Sequence, residues 1–208
     1  LGKGWPKIFQ PDYTEVITQI AREKPDAIYS SLWGGDLVSF IDQASIYGIF
    51  KNTQLFAINL ADYTTMSAVK NLPKGLHSAT RYVAAWPNTQ ENRDYDKSYT
   101  DLYGDHPTNW SWEASVGIDY LISALKETNG TDNKKLAEAI KGKTRKSFMG
   151  VGDGNTVSIR DKDQTIIDYS IGWGTTIPND PYMTSIQSAD WNTIETLEKE
   201  WLADKGWM

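Results

Sequence analysis

Cysteine is absent from all 208 residues, so disulfides, thiolate nucleophiles and Cys-ligated metals are excluded at the outset. Histidine is nearly as scarce. His77 and His106 are the only two, and neither has a second His or a carboxylate at the spacing of a metal-binding helix, so neither a His-based zinc site nor any other metal site is expected. No stretch of about eighteen apolar residues offers a membrane-spanning helix. The opening LGKGWPKIFQ also lacks the basic start, apolar centre and small-residue cleavage site of a secretory signal. The chain therefore reads as a cytosolic protein or as a mature or truncated exported one. Positive charge is in deficit, with 21 Lys and Arg against 27 Asp and Glu and no window rich in basic residues. Nucleic acid and anionic membrane surfaces are poor partners for such a charge balance.

Catalytic signatures are thin as well. There is no Gly-x-Ser-x-Gly elbow for a serine hydrolase. Gly150, Gly152 and Gly154 space out a Gly-x-Gly-x-Gly, but no strand and helix frame it as a dinucleotide site requires, and it reads as a turn. What the sequence does hold is a 39% hydrophobic content, enough for a packed core, and nine Trp and eleven Tyr. Those rings serve either as core or as flat surfaces that grip small ligands and sugars. Carboxylates on a Trp-rich scaffold keep glycoside hydrolysis open as a rival, although Asp94, Asp96, Asp101 and Asp105 read most simply as a solvated helix surface.

Periodicity divides the chain into alternating helices and short strands. Asp12 and Glu15 mark a helix start, Val16, Ile17 and Ile20 recur at helical spacing, and Pro25 ends the segment. Ala27 to Trp33 is a strand-like run, and Gly34-Gly35-Asp36 breaks it before a second helix with Leu37, Phe40, Ile41 and Ala44, closed at Gly48. Leu55 to Asn59 and Leu76 to Ala85 are further strand-like runs on either side of a short helix ending near Lys70. Helices follow from Thr89 to Tyr103, from Ser111 to Lys126 with Gly130 as its cap, and from Asp132 to Lys141. Strand-like stretches then run from Thr156 to Arg160 and from Gln164 to Trp173, and a last helix from Trp191 to Lys205. Strands alternating with crossover helices imply an α/β fold with parallel sheet covered on both faces.

In such sheets ligands bind in the crevice beyond the carboxyl ends of the strands. Two loops of this chain lie there. Trp33-Gly34-Gly35-Asp36 offers a stacking face, room for close backbone approach, and an acid that is either a ligand acceptor or the cap of the next helix; Trp33 is equally readable as a core plug. In the second loop, Asn59 and Asp62 have oxygens able to receive an ammonium or amide group, and turn formation alone also explains both.

The order of these features resembles the type I periplasmic solute-binding proteins of ABC importers, the leucine/isoleucine/valine-binding group. The resemblance rests on Asp12-Tyr13-Thr14, Lys24-Pro25-Asp26, Gln43-Ala44 and Gly48, on Tyr99 with Tyr103-Gly104-Asp105-His106-Pro107, and on the apolar helix from Glu113 to Lys126. It covers roughly residues 7 to 173. It implies a two-lobed α/β fold, incomplete here because the N-terminal half is absent, with residues 1–82 in lobe two, 83–163 in lobe one, and 164–208 returning to lobe two and ending in a tail. It further implies a ligand-binding set of Trp33, Gly34, Asn59, Asp62 and Trp110, no catalytic residues and no cofactor. The expected partners are a small-molecule solute, such as an amino acid, amide or aromatic compound, and a membrane permease. Such proteins work in the periplasm or, lipid-anchored, at a Gram-positive cell surface. The family often carries an acid where this chain has Asn59, and Trp110 matches a pocket aromatic contributed by the other lobe, so that two Trp faces are expected to approach each other. A ligand-sensing regulatory domain of the same fold is the alternative.

Overall fold

Three strand and helix pairs open the chain, and each follows from its local sequence. The structure, a computed structural model, describes residues 2–207. Helix α1 (Thr14–Glu23) buries Ile17 and ends where Lys24 turns left-handed at φ 47° ahead of Pro25. Its start departs from the expected acid cap: Tyr13 takes the cap position, and Asp12 instead accepts from the Thr14 N–H in a local turn at 2.8 Å. Strand β1 (Ala27–Ser30) leads into α2 (Gly34–Ile46), whose Leu37, Phe40, Ile41 and Ala44 face inward with the period of a helix stripe. Gly48 follows with φ 69°, the left-handed conformation for which glycine has no steric penalty. A single 3₁₀ turn precedes β2 (Gln54–Ala57); the short α3 (Tyr63–Ala68) and β3 (His77–Thr80) come next.

Strands β1, β2 and β3 pair in parallel, with Tyr29 opposite Phe56 and Phe56 opposite His77. The chain then leaves this sheet through α4 (Gln90–Tyr103), α5 (Asn109–Thr128) and α6 (Asn133–Ile140). A small antiparallel sheet follows, made of β4 (Thr144–Lys146), β5 (Thr156–Ile159) and β6 (Ile166–Ile167). It returns as β7 (Gly172–Thr176), antiparallel to β3 with Ala79 opposite Trp173, and β8 (Met183–Ser188), before the final helix α7 (Trp191–Asp204). The larger sheet, ordered β1-β2-β3-β7-β8, is thus mixed and not wholly parallel. Close passage of β7 and β8 explains a small residue: a Cβ on Gly174 would stand 2.6 Å from the Thr184 carbonyl oxygen, at a register shift between the strands.

Two apolar cores result. The first gathers Tyr13, Ile17, Leu37, Ile41, Leu55 and Met66 with others between the large sheet and its helices, and Met183 joins it from β8. The second gathers Tyr82, Trp112, Val116, Tyr120, Met149 and Val157 under α5 and the small sheet. Full burial of a side chain of this size contributes about 1.5–3 kcal/mol. Tyr120 also ties α5 to the small sheet, its hydroxyl donating to the carbonyls of Lys143 and Val157 at 3.2 and 2.9 Å. The chain changes core between neighbouring residues, since Tyr82 enters the second and Val83 the first.

Candidate functional site

A cleft of about 380 Å³ opens where the two cores meet. Its walls come from the loops after β1 and β2, the exit of β3 and the first turn of α5. All five residues singled out from the sequence, Trp33, Gly34, Asn59, Asp62 and Trp110, line it. So do Arg81 and Asn109.

Trp33 is the residue at the amino end of α2, with extended backbone, and is 64% exposed as a residue, so it is no core plug. Gly34 turns the chain with φ 52°; a Cβ there would meet nothing within 4 Å, so the need is conformational, not spatial. Asp36 is not the helix cap, a position that Trp33 takes. It lies within the first turn of α2, and its carboxylate accepts from the Phe9 N–H at 3.1 Å, fastening the N-terminal segment.

Asn59 braces one loop against the other. Its amide donates to the Leu32 and Ser31 carbonyls at 3.2 and 3.4 Å, which leaves its side-chain oxygen without a partner among the described residues. Asp62 is only 7% exposed, and both oxygens are engaged. One caps α3, accepting from the Thr64 N–H at 3.2 Å and its hydroxyl at 2.6 Å. The other accepts from Asn109, from the backbone N–H at 3.2 Å and the side-chain amide at 2.5 Å. The carboxylate expected to receive a ligand's amino group therefore joins the first turns of two helices instead.

Asn109 completes that join. Its side-chain oxygen accepts from the Arg81 and Tyr82 N–H groups at 3.2 and 3.3 Å and lies 3.1 Å from the Thr80 hydroxyl. The backbone crossing between cores is thereby pinned to α5. Thr108 caps that helix reciprocally with Ser111.

Trp110 is 53% exposed, but one face is taken: the Arg81 guanidinium lies 4.7 Å from its ring centroid, a cation–π arrangement. Arg81 also reaches Glu113 at 3.0 Å. Burial pushes the Glu113 carboxyl above its ordinary range, and Arg81 beside it offsets only part of that rise. The two expected Trp faces are thus not both free; Trp33 presents the open ring and Trp110 backs a cation. Sequence reading missed Arg81 and Asn109. The one available signal was a lone charge at position 81 within the otherwise uncharged run LHSATRYVAAW.

His106 lies outside the cleft. Its Nδ1 is 2.6 Å from Asp96 and its Nε2 3.5 Å from Asp180, and Tyr63 packs edge-on against the ring. Among the described residues no group of three His, Asp or Glu side chains is placed to hold a metal, and no helix is long and apolar enough to cross a membrane. The turn at 150–154 is tight, for a Cβ on Gly150 would collide with Asn155 backbone at 2.5 Å.

A family model described as periplasmic binding protein matches residues 2–172, and the chain belongs to that family. Solved structures agree on the fold. An amino acid ABC transporter substrate-binding protein from Pseudomonas fluorescens Pf-5 superposes with a TM-score of 0.73 at 18% identity, over 90% of this chain and 50% of its own. A solute binding protein of an ABC transporter from Rhodopseudomonas palustris BisB5, solved in complex with 3,4-dihydroxy benzoic acid, gives 0.73 at 21% identity over 88% and 51%. A leucine binding protein from Thermotoga maritima gives 0.62 at 17% over 88% and 49%. The chain spans about half the length of these structures and carries part of the two-lobed type I periplasmic-binding fold. No curated protein gives a significant match.

Proposed function

We propose that this chain belongs to the solute-capturing subunit of an ABC importer, working in the periplasm or lipid-anchored outside a Gram-positive cell. It holds a small polar or aromatic solute, an amino acid, an amide or a related compound, between two lobes and passes it to a membrane permease. In this reading residues 1–82 form part of lobe two, residues 83–163 part of lobe one, and residues 164–208 return to lobe two and end in a tail. The observation that carries this reading is the convergence of Trp33, Gly34, Asn59, Asp62 and Trp110 on one cleft between the two cores. The similar structures named above include amino-acid and aromatic-acid binders, consistent with a cleft of this size and lining.

In this reading Trp33 stacks on the solute, the free oxygen of Asn59 accepts a hydrogen bond from it, and Asp62 with Asn109 sets the geometry without touching it. The cleft binds and does not transform, because the acid in its lining is committed to two helix starts. Closure follows from contacts that the solute makes to both walls at once. Titrating the full chain with amino acids, amides and aromatic acids while following tryptophan emission is the direct test. At least one class should shift the emission, and Trp33→Ala should weaken its binding about tenfold, the worth of one well-placed ring. Emission indifferent to all three classes would remove the reading.

A further inference from the structure

We propose that Arg81 makes this cleft selective for organic anions, its free guanidinium edge receiving the carboxylate of a solute whose body lies against Trp33. The inference rests on the solute-capture reading above and narrows its ligand class.

Three observations carry it. Arg81 is the one cation among the described residues lining the cleft, and Asp62 the one acid. Both Asp62 oxygens are already filled by Thr64 and Asn109, so the lining offers an ammonium group no free carboxylate. Finally, Arg81 is only partly consumed. A guanidinium carries five N–H donors in a planar fork suited to a carboxylate. Among the described residues a single terminal nitrogen is paired, with Glu113 at 3.0 Å, and the Arg81 side chain is 40% exposed.

The surroundings hold that fork in place. The Trp110 ring supports one face of it at 4.7 Å, and the start of the twenty-residue helix α5 adds the positive end of its dipole beside the cleft. Glu113 is the internal competitor. Its carboxylate partly neutralises Arg81 while the cleft is empty, and an entering anion shares or displaces that contact. The pair therefore has two distinguishable members: Arg81 favours the anion and Glu113 opposes it.

Calorimetric titration of the full chain with benzoate, benzamide and zwitterionic phenylalanine tests this, using the unaltered protein and Arg81→Gln, Arg81→Lys and Glu113→Gln. Benzoate should bind at least tenfold more tightly than either of the others. Arg81→Gln should weaken benzoate about 10- to 100-fold, to the level of benzamide, as loss of charge-assisted hydrogen bonds implies, and Arg81→Lys should restore part of it. Glu113→Gln should tighten benzoate a few-fold. Should Arg81→Gln fail to fold, the double variant R81Q/E113Q, which strands no half-buried acid, carries the same expectation. Benzamide or phenylalanine binding as tightly as benzoate, or Arg81→Gln and Glu113→Gln weakening it alike, overturns the anion assignment and leaves solute capture standing. No binding by any of the three probes overturns the anion assignment, and solute capture itself falls only if the wider panel of amino acids and amides also fails.

Discussion

Asn109 shows how much one amide can hold. It donates to Asp62 and accepts from two backbone N–H groups of the crossing at Arg81 and Tyr82, linking positions 27 to 47 residues apart. Replacing it with Ala leaves the Arg81 N–H without its acceptor, at a cost of about 1–3 kcal/mol. It also takes one donor from Asp62, which keeps the backbone N–H of position 109, while the Tyr82 N–H keeps the Thr80 hydroxyl. Asn109→Ala should therefore lower unfolding stability by about 1–3 kcal/mol, read from the midpoint of a urea titration. A midpoint unchanged from that of the unaltered protein would mean the network holds nothing. The same distances explain what the sequence could and could not disclose about the site. Trp33 and Gly34 were legible because a strand followed by glycines locates a crevice loop. The fate of Asp62 was not, because its partner lies 47 residues downstream, and no local pattern encodes that pairing.

At the scale of elements, legibility followed apolar signal. Helices α2, α4 and α5 stood out because their stripes or caps are written in consecutive residues. Strand β4 is the three residues Thr-Arg-Lys and β8 buries little beyond Met183, so neither has the alternation that betrays a strand. The run from Gln164 to Trp173 looked continuous, yet Asp168 turns left-handed at φ 60° and divides it into β6 and β7. At the end of α5 it is Asn129, φ 48°, and not Gly130, that takes the left-handed position; Asn tolerates it nearly as well.

Helix α7 buries no residue of its own and is held at two points. Trp191 packs on Tyr169 of the second core and donates to its carbonyl at 2.6 Å. Arg160 grips Glu198 from β5's end while also pairing with Asp163, both at 2.6 Å. Hydrogen bonding from Arg160 holds both carboxyls below their ordinary range, Asp163 far below. A carboxyl whose folded pKa is depressed stabilises above its unfolded value, about 4, and that contribution is lost as pH falls through the folded value. Hydrogen exchange in 191–204 should therefore speed up relative to α5 as pH drops below about 4, after correction for intrinsic rates, and Glu198→Gln should flatten part of that dependence. Identical profiles with and without Glu198 would assign the anchoring to Trp191 alone.

On the scale of the whole molecule, the two cores meet through few covalent crossings, the backbone near Tyr82 and Val83, the return into β7 and the passage from β8 to α7. The polar contacts from Asp62 to Asn109 and from Tyr63 to Asp105 bind α3 to the loop and helix of the second core. In the proposed capture these crossings act as the hinge while each core stays rigid, because packed interiors resist deformation more than a crossing strand does. A solute captured in this way, held by Trp33 on one side and the start of α5 on the other, with Arg81 at the crossing between them, contacts both bodies. It stabilises the closed arrangement by an amount set by its affinity, about 2.7 kcal/mol at one hundred times its dissociation constant. Slowed amide exchange should therefore appear together in residues 33–36 and 59–62 of the first core and in residues 109–113 of the second, at the same ligand concentration. A solute held by one wall alone would slow exchange in that wall only. Protection confined to either set would mean that the cleft adsorbs its ligand on an open surface, and that the hinge plays no part in capture.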